Sequence, residues 1–111
     1  MEKSASLGNL SLALSKVQSH LKFDFTANES KESELKQIWD AARSLLEANE
    51  LAIIQMPTDV GGVTTVLSHS SGEYLASTSY VPAEENEEGV RKAIAVARVS
   101  ALVSFLGIPF E

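Results

Sequence analysis

Around residue 50 the spacing of apolar residues changes, and that change sets the fold class. Upstream, Leu35, Ile38, Trp39, Ala42, Leu45 and Leu46 recur at helical steps, the wide stripe of an amphipathic helix over 31–49. Lys36, Asp40, Arg43 and Glu47 fall on its wet side, with Trp39 as a core anchor. Downstream, 51–56 (LAIIQM) is a short apolar run ended by Pro57, which reads as a strand. Residues 63–69 (VTTVLSH) and 73–81 (EYLASTSYV) suit two more strands. The connections Asp59-Val60-Gly61-Gly62 and Ser70-Ser71-Gly72 are short, with glycines available for positive φ in tight turns. Three strands joined this way predict an antiparallel meander.

Helices flank the meander. Leu10, Leu14, Val17 and Leu21 mark an amphipathic helix over 8–22. Thr26 with Glu29, or Ser30 before Glu32, supplies the cap of the second helix. After the acidic stretch 82–88 (PAEENEE), Asn86 is a natural N-cap, and Glu87 and Glu88 suit the positive end of a helix dipole. That helix runs to about 106, where Gly107 and Pro109 end it. Its interior is apolar nearly all round, and Ala93, Ala95, Ala97 and Ala101 permit close approach of another backbone. Such a helix is buried on several sides, which points to a subunit interface, the alternative being a central helix within one subunit. The expected architecture is α+β in the order α-α-β-β-β-α, one domain spanning 1–111.

The 111 residues carry 44% hydrophobic and 22% charged side chains, the balance of a globular domain. Without cysteine there is no disulfide, thiolate metal site or thiol catalysis, which fits a reducing compartment and a cytoplasmic protein. No apolar run is long enough to cross a membrane, and no secretory h-region is visible. The net charge of −6 excludes a whole-protein basic field, so any nucleic-acid contact needs a local patch. Between residues 44 and 90 there is no Lys or Arg but eight acids. A phosphate groove therefore requires cations from the two ends of the chain to converge.

Side-chain chemistry for catalysis is sparse. There is no Walker loop, GxGxxG or HExxH motif. His20 and His69 lack carboxylates at ligand spacing and read as surface or packing residues. Ser68 and His69 alternate on a strand and point to opposite faces, which defeats triad geometry. The expectation is a protein that is not an enzyme and holds no cofactor or metal. The strand faces are unusual: Val63, Thr65, Leu67 and His69 oppose Thr64, Val66 and Ser68, and Leu75, Ser77 and Ser79 oppose Tyr74, Ala76, Thr78 and Tyr80. Both faces are uncharged, and such a face is often covered by a helix, a subunit or a ligand.

Three ordered segments carry a family resemblance. LALSKVQSHLK (12–22), IWDAARSLLEANELAIIQMPTD continuing into GGVTTVLSHSSGEYLAST (38–78), and AIAVARVSALVSFLGI (93–108) resemble the ERF (essential recombination function) family of phage single-strand annealing proteins. The last is similar to the family's AITYARRYALxxLLGI. The sequence departs from that pattern at Val99 and Ser100, where the second arginine and the tyrosine would fall, and at Ala95 and Val96. Arg91-Lys92 replaces a Gly-Ser, Glu50 stands where the family prefers glycine, and the stretch 24–34 is short and acidic.

The resemblance implies an annealing-protein-like β-β-β-α core, ring or filament assembly as a homo-oligomer, and ATP-independent binding and annealing of single-stranded DNA. Single-strand binding needs a basic groove with aromatic stackers. Lys16, Lys22, Phe23, Arg91, Lys92 and Arg98 are the candidate DNA-binding residues. Because the basic and aromatic cluster is thinned, a second reading is a protein-interaction or regulatory module, such as a phage-borne inhibitor, that keeps the fold without annealing.

Overall fold

The structure, a computed structural model, describes residues 2–22, 30–58, 62–80 and 86–107, and of Lys31 the backbone only. Its elements in chain order are β1 (Glu2–Lys3), α1 (Gly8–His20), α2 (Lys31–Ala48), β2 (Leu51–Pro57), β3 (Gly62–His69), β4 (Tyr74–Tyr80) and α3 (Glu87–Leu106). The α+β class and the α-α-β-β-β-α order stand as expected. One element is added: β1 pairs antiparallel with β4, making a four-stranded sheet in the order β1-β4-β3-β2. Two residues have no periodicity to read, so only their pairing reveals them.

The caps act as their residue types dictate. Ser30 accepts the Ser33 N–H at 3.1 Å and so opens α2. The rival cap, Thr26 with Glu29, lies outside the described residues. Asn86 accepts the Gly89 N–H at 2.7 Å to open α3. Gly107, at φ 69°, closes α3 with its N–H on the Val103 carbonyl. α1 has no cap of its own, since Leu7 occupies that position.

Between α2 and β2 the chain reverses through Glu50 at φ 60°, the only described non-glycine residue with positive φ. A left-handed conformation costs an L-residue with a Cβ roughly 1–2 kcal/mol. That is the physical reason a glycine suits this position. Glu50 recovers part of the cost by accepting the Ser70 hydroxyl at 3.0 Å. Glu50→Gly is expected to raise stability by up to about 1 kcal/mol, read as a higher urea midpoint at unchanged slope. A lower midpoint would show that the Ser70 bond outweighs the strain.

Gly62 has a different reason. It lies in β3 opposite Tyr80 and its φ is not positive, contrary to the turn role expected of it. A Cβ there would lie 2.8 Å from the Tyr80 ring and 2.9 Å from the Ser79 carbonyl oxygen. The glycine makes room for a tyrosine ring lying across the strand.

All three helices pack on one face of the sheet. Leu10 and Val17 of α1, Ile38, Ala42 and Leu46 of α2, Leu51 and Leu67 of the sheet, and Val99, Leu102 and Leu106 of α3 form one core. Trp39 packs at its margin, half-buried. Nine residues of α3 are buried, including Ala93, Ala95, Ala97 and Ala101. The other elements of the same subunit do this burying, so the apolar character of α3 needs no subunit interface. The burial matches the alternative reading, a central helix: α3 packs on β3 and β4 and also touches α1 and α2.

The helix-covered face carries Ile53, Gln55, Val63, Thr65, Leu67 and Leu75. The opposite face is open, and its large apolar residues are exposed: Ile54 50%, Met56 48%, Tyr74 37% and Tyr80 63%. Among the described residues no helix is long and apolar enough to cross a membrane.

Candidate nucleic-acid interface

The candidate cations fall in separate places. Lys16 lies exposed on α1, and Lys22 is exposed just beyond its end. This part of α1 sits beside the C-terminal end of α3, where Gln18 Nε2 donates to the Phe105 carbonyl at 3.4 Å. Arg91 and Lys92 are exposed in the first turns of α3, at its other end. From Lys92 to Phe105 the axis rises about 20 Å at 1.5 Å per residue. A single subunit therefore does not gather these cations into one groove. Lys92 also stands 3.4 Å from Glu88, an exposed pair on the same helix. Phe23 lies outside the described residues.

Arg98 differs from the other cations. It is half-buried, and its Nε donates to Gln55 Oε1 at 2.9 Å. The Gln55 amide in turn donates to Thr65 Oγ1 and to the Arg98 carbonyl, each at 3.1 Å. Thr65 is fully buried, so Gln55 satisfies a hydroxyl that would otherwise face apolar surroundings. Arg98 thus ties α3 to β2 and β3. Among the described residues it has no carboxylate partner, and four guanidinium N–H groups are not engaged by its bond to Gln55.

The strongest polar site was not legible in the sequence. Glu73, in the turn between β3 and β4, is buried at 8% exposure. Its Oε1 accepts the Leu10 N–H at 2.7 Å; its Oε2 accepts Ser6 Oγ at 3.0 Å and Asn9 Nδ2 at 3.3 Å. A carboxylate distant in sequence therefore caps α1. The Leu10 backbone hydrogen bond, with those from Ser6 and Asn9, holds the Glu73 carboxyl below the usual carboxylate range against an opposing effect of burial. Only the Leu7 vacancy at the cap position hinted at it. This carboxylate is committed to structure.

The histidines also work locally. His69 Nδ1 accepts the Ser71 N–H at 3.1 Å within the β3–β4 turn, and His20 Nδ1 lies 2.9 Å from the Lys16 carbonyl oxygen.

The open sheet face carries Tyr74 and Tyr80 on β4, Thr64 hydrogen-bonded to Thr78 at 2.9 Å, and Ile54 with Met56 on β2. Of the residues whose register places them there, only Glu2 is charged. The aromatic surface and the cations are thus on different parts of the molecule. Neither a family model, nor a curated protein, nor a solved structure matches the chain.

Proposed function

We propose that this chain is a non-enzymatic single-stranded DNA binding and annealing module of phage-type homologous recombination, acting in the cytoplasm as a homo-oligomer without ATP. The observation that carries the reading is the position of the three family-like segments. Together they cover most of α1, the second half of α2 with β2, β3 and most of β4, and most of α3, and they hold every residue of the buried core except Leu10. The resemblance thus follows the framework rather than scattered surface positions.

The mechanism is passive. Exposed Lys16, Lys22, Arg91 and Lys92 hold phosphates and leave bases free to pair. With the cations of one copy divided between two places, strong binding depends on repetition across copies. Each neutralised phosphate on a single strand contributes about −0.7 to the salt slope, so four cations give roughly −3 per copy. Arg91→Glu with Lys92→Glu is expected to weaken binding of a labelled oligonucleotide regardless of its sequence. The salt slope should become shallower by roughly 1.4 per copy. Unchanged affinity in this variant would remove both residues from the site. No shift of the oligonucleotide by the unmodified protein at micromolar concentration and low salt would end the annealing reading.

The second reading, a protein-interaction module, is favoured by one observation: the open sheet face exposes Ile54, Met56, Tyr74 and Tyr80 with Glu2 as the one charged residue in register there, and the candidate cations lie elsewhere. Absent DNA binding at low salt, together with a stable protein complex disrupted by Ile54→Lys, would select it.

A further inference from the structure

Hydrogen-bond parity identifies the backbone groups of β2 that have no partner among the described residues. At one end of the β2–β3 ladder the Glu50 carbonyl accepts the Ser70 N–H at 3.1 Å; at the other, the Thr58 N–H donates to the Gly62 carbonyl at 2.9 Å. The register between them runs unbroken from Leu51↔His69 to Pro57↔Val63. Successive residues of an antiparallel strand turn their N–H and C=O groups to opposite sides. Ala52, Ile54 and Met56 therefore bond to β3, while Leu51, Ile53, Gln55 and Pro57 face away. β2 is an end strand of the sheet, so among the described residues these groups face a free edge. Pro57 has no N–H to offer, and its place on the free edge is why the strand tolerates it.

The other edge is partly closed. There Tyr74, Ala76, Thr78 and Tyr80 face away from β3, but Ser4 takes up the Tyr74 carbonyl at 3.0 Å and Glu2 pairs with Ala76. Among the described residues only Thr78 and Tyr80 remain.

We propose that β2 is the seam of a two-fold symmetric dimer, pairing antiparallel with β2 of a second copy. Proline selects the register. With Ile53 opposite its own copy, Leu51 faces Gln55 of the other subunit, and three residue pairs exchange two bonds each. Centring on Gln55 puts Ile53 opposite Pro57 and forfeits a bond at each of two pairs. A head-to-tail contact with the opposite edge has only Thr78 and Tyr80 to work with.

Charge favours a second copy as the occupant. The chain carries −6 overall, yet residues 51–58 hold no charged side chain, so two acidic molecules meet at a neutral seam. β2 also lacks the usual guards of an edge: lysine, bulge or interior proline. In this register Ile54, half-exposed in the single subunit, lies opposite Ala52 of the other. A strand seam is small beside the roughly 800 Å² per partner of a standard interface, so the dimer is reversible. It closes at two copies. It is independent of the DNA reading.

Sedimentation equilibrium from micromolar to millimolar protein, without DNA, tests this directly. The mass should rise from one copy to a plateau at two. Ala52→Lys with Ile54→Lys sets like charges opposite each other across the seam and should weaken association at least tenfold. A mass fixed at one copy, a plateau above two, or an unaffected variant overturns the proposal. Amide exchange on the unmodified protein is the test that requires no variant. Leu51, Ile53 and Gln55 should become protected as concentration rises, with Ala52, Ile54 and Met56 protected throughout. Protection of the first three that does not change with concentration overturns it too.

Discussion

Leu102→Ala is expected to lower stability by about 2–5 kcal/mol, the range for truncating a fully buried leucine. Leu102 has 0% exposure and sits in the C-terminal half of the buried face of α3. Its truncation costs the transfer energy of the lost isopropyl group and leaves a cavity. Helices and sheet close on the site from both sides, so relaxation can fill little of it. For a domain of this size each kcal/mol shifts the melting midpoint by about 4–8 °C. Leu12, 59% exposed on α1, is the control: alanine there should change stability by less than about 0.5 kcal/mol. Urea unfolding at several protein concentrations checks both. The loss at Leu102 should be the same at every concentration, because the burial is internal to the subunit. A concentration-dependent loss would return α3 to a subunit interface.

The second large effect concerns acid. Glu73 has its carboxyl held below the usual range in the folded state, chiefly by the Leu10 N–H. A depressed native pKa means that the unfolded chain takes up the proton first. The carboxylate therefore stabilises the fold fully at pH values above its ordinary 4.5. That contribution drains away as pH falls through the lower native value. Glu73→Gln keeps the size of the side chain but removes the charge facing the start of α1. It should lower the urea midpoint at neutral pH and flatten its dependence on pH in the acid range. Ala at the same place should do more, since it also strips the Leu10, Ser6 and Asn9 donors of their acceptor. An unchanged acid limb in Glu73→Gln would show that other carboxylates control acid unfolding.

The two experiments probe different kinds of information. Leu102 belongs to a pattern visible in the residues alone: an apolar helix bounded by Asn86 and Gly107, both acting as caps in the structure. The same holds for the change of period at residue 50 and for the turn glycine Gly72, which has φ 95°. These signals are local. A cap, a turn or a strand depends on residues within a few positions, so a linear reading reaches them.

The candidate site was less legible. Lys16, Lys22, Arg91 and Lys92 are on the surface as their type suggests, but the long α3 holds the two groups at opposite ends. By residue type Arg98 belongs with them, but its Nε is bound to Gln55 of β2. Gln55 itself carried no signal, because its importance depends on Thr65 beneath the helix layer. The sheet faces were equally ambiguous, since both carry small uncharged residues and neither alternation excludes burial.

What the amino-acid order determined by itself is the three helices, the three longer strands and their order, because propensity, capping and period are properties of neighbours along the chain. Only the tertiary structure decided that β1 joins the sheet, which sheet face the helices cover, that α3 is buried within its own subunit, that Glu73 caps α1, and that Pro57 lies on an end strand. Each of these depends on groups distant in sequence meeting in space, and such meetings leave no periodic trace in the chain.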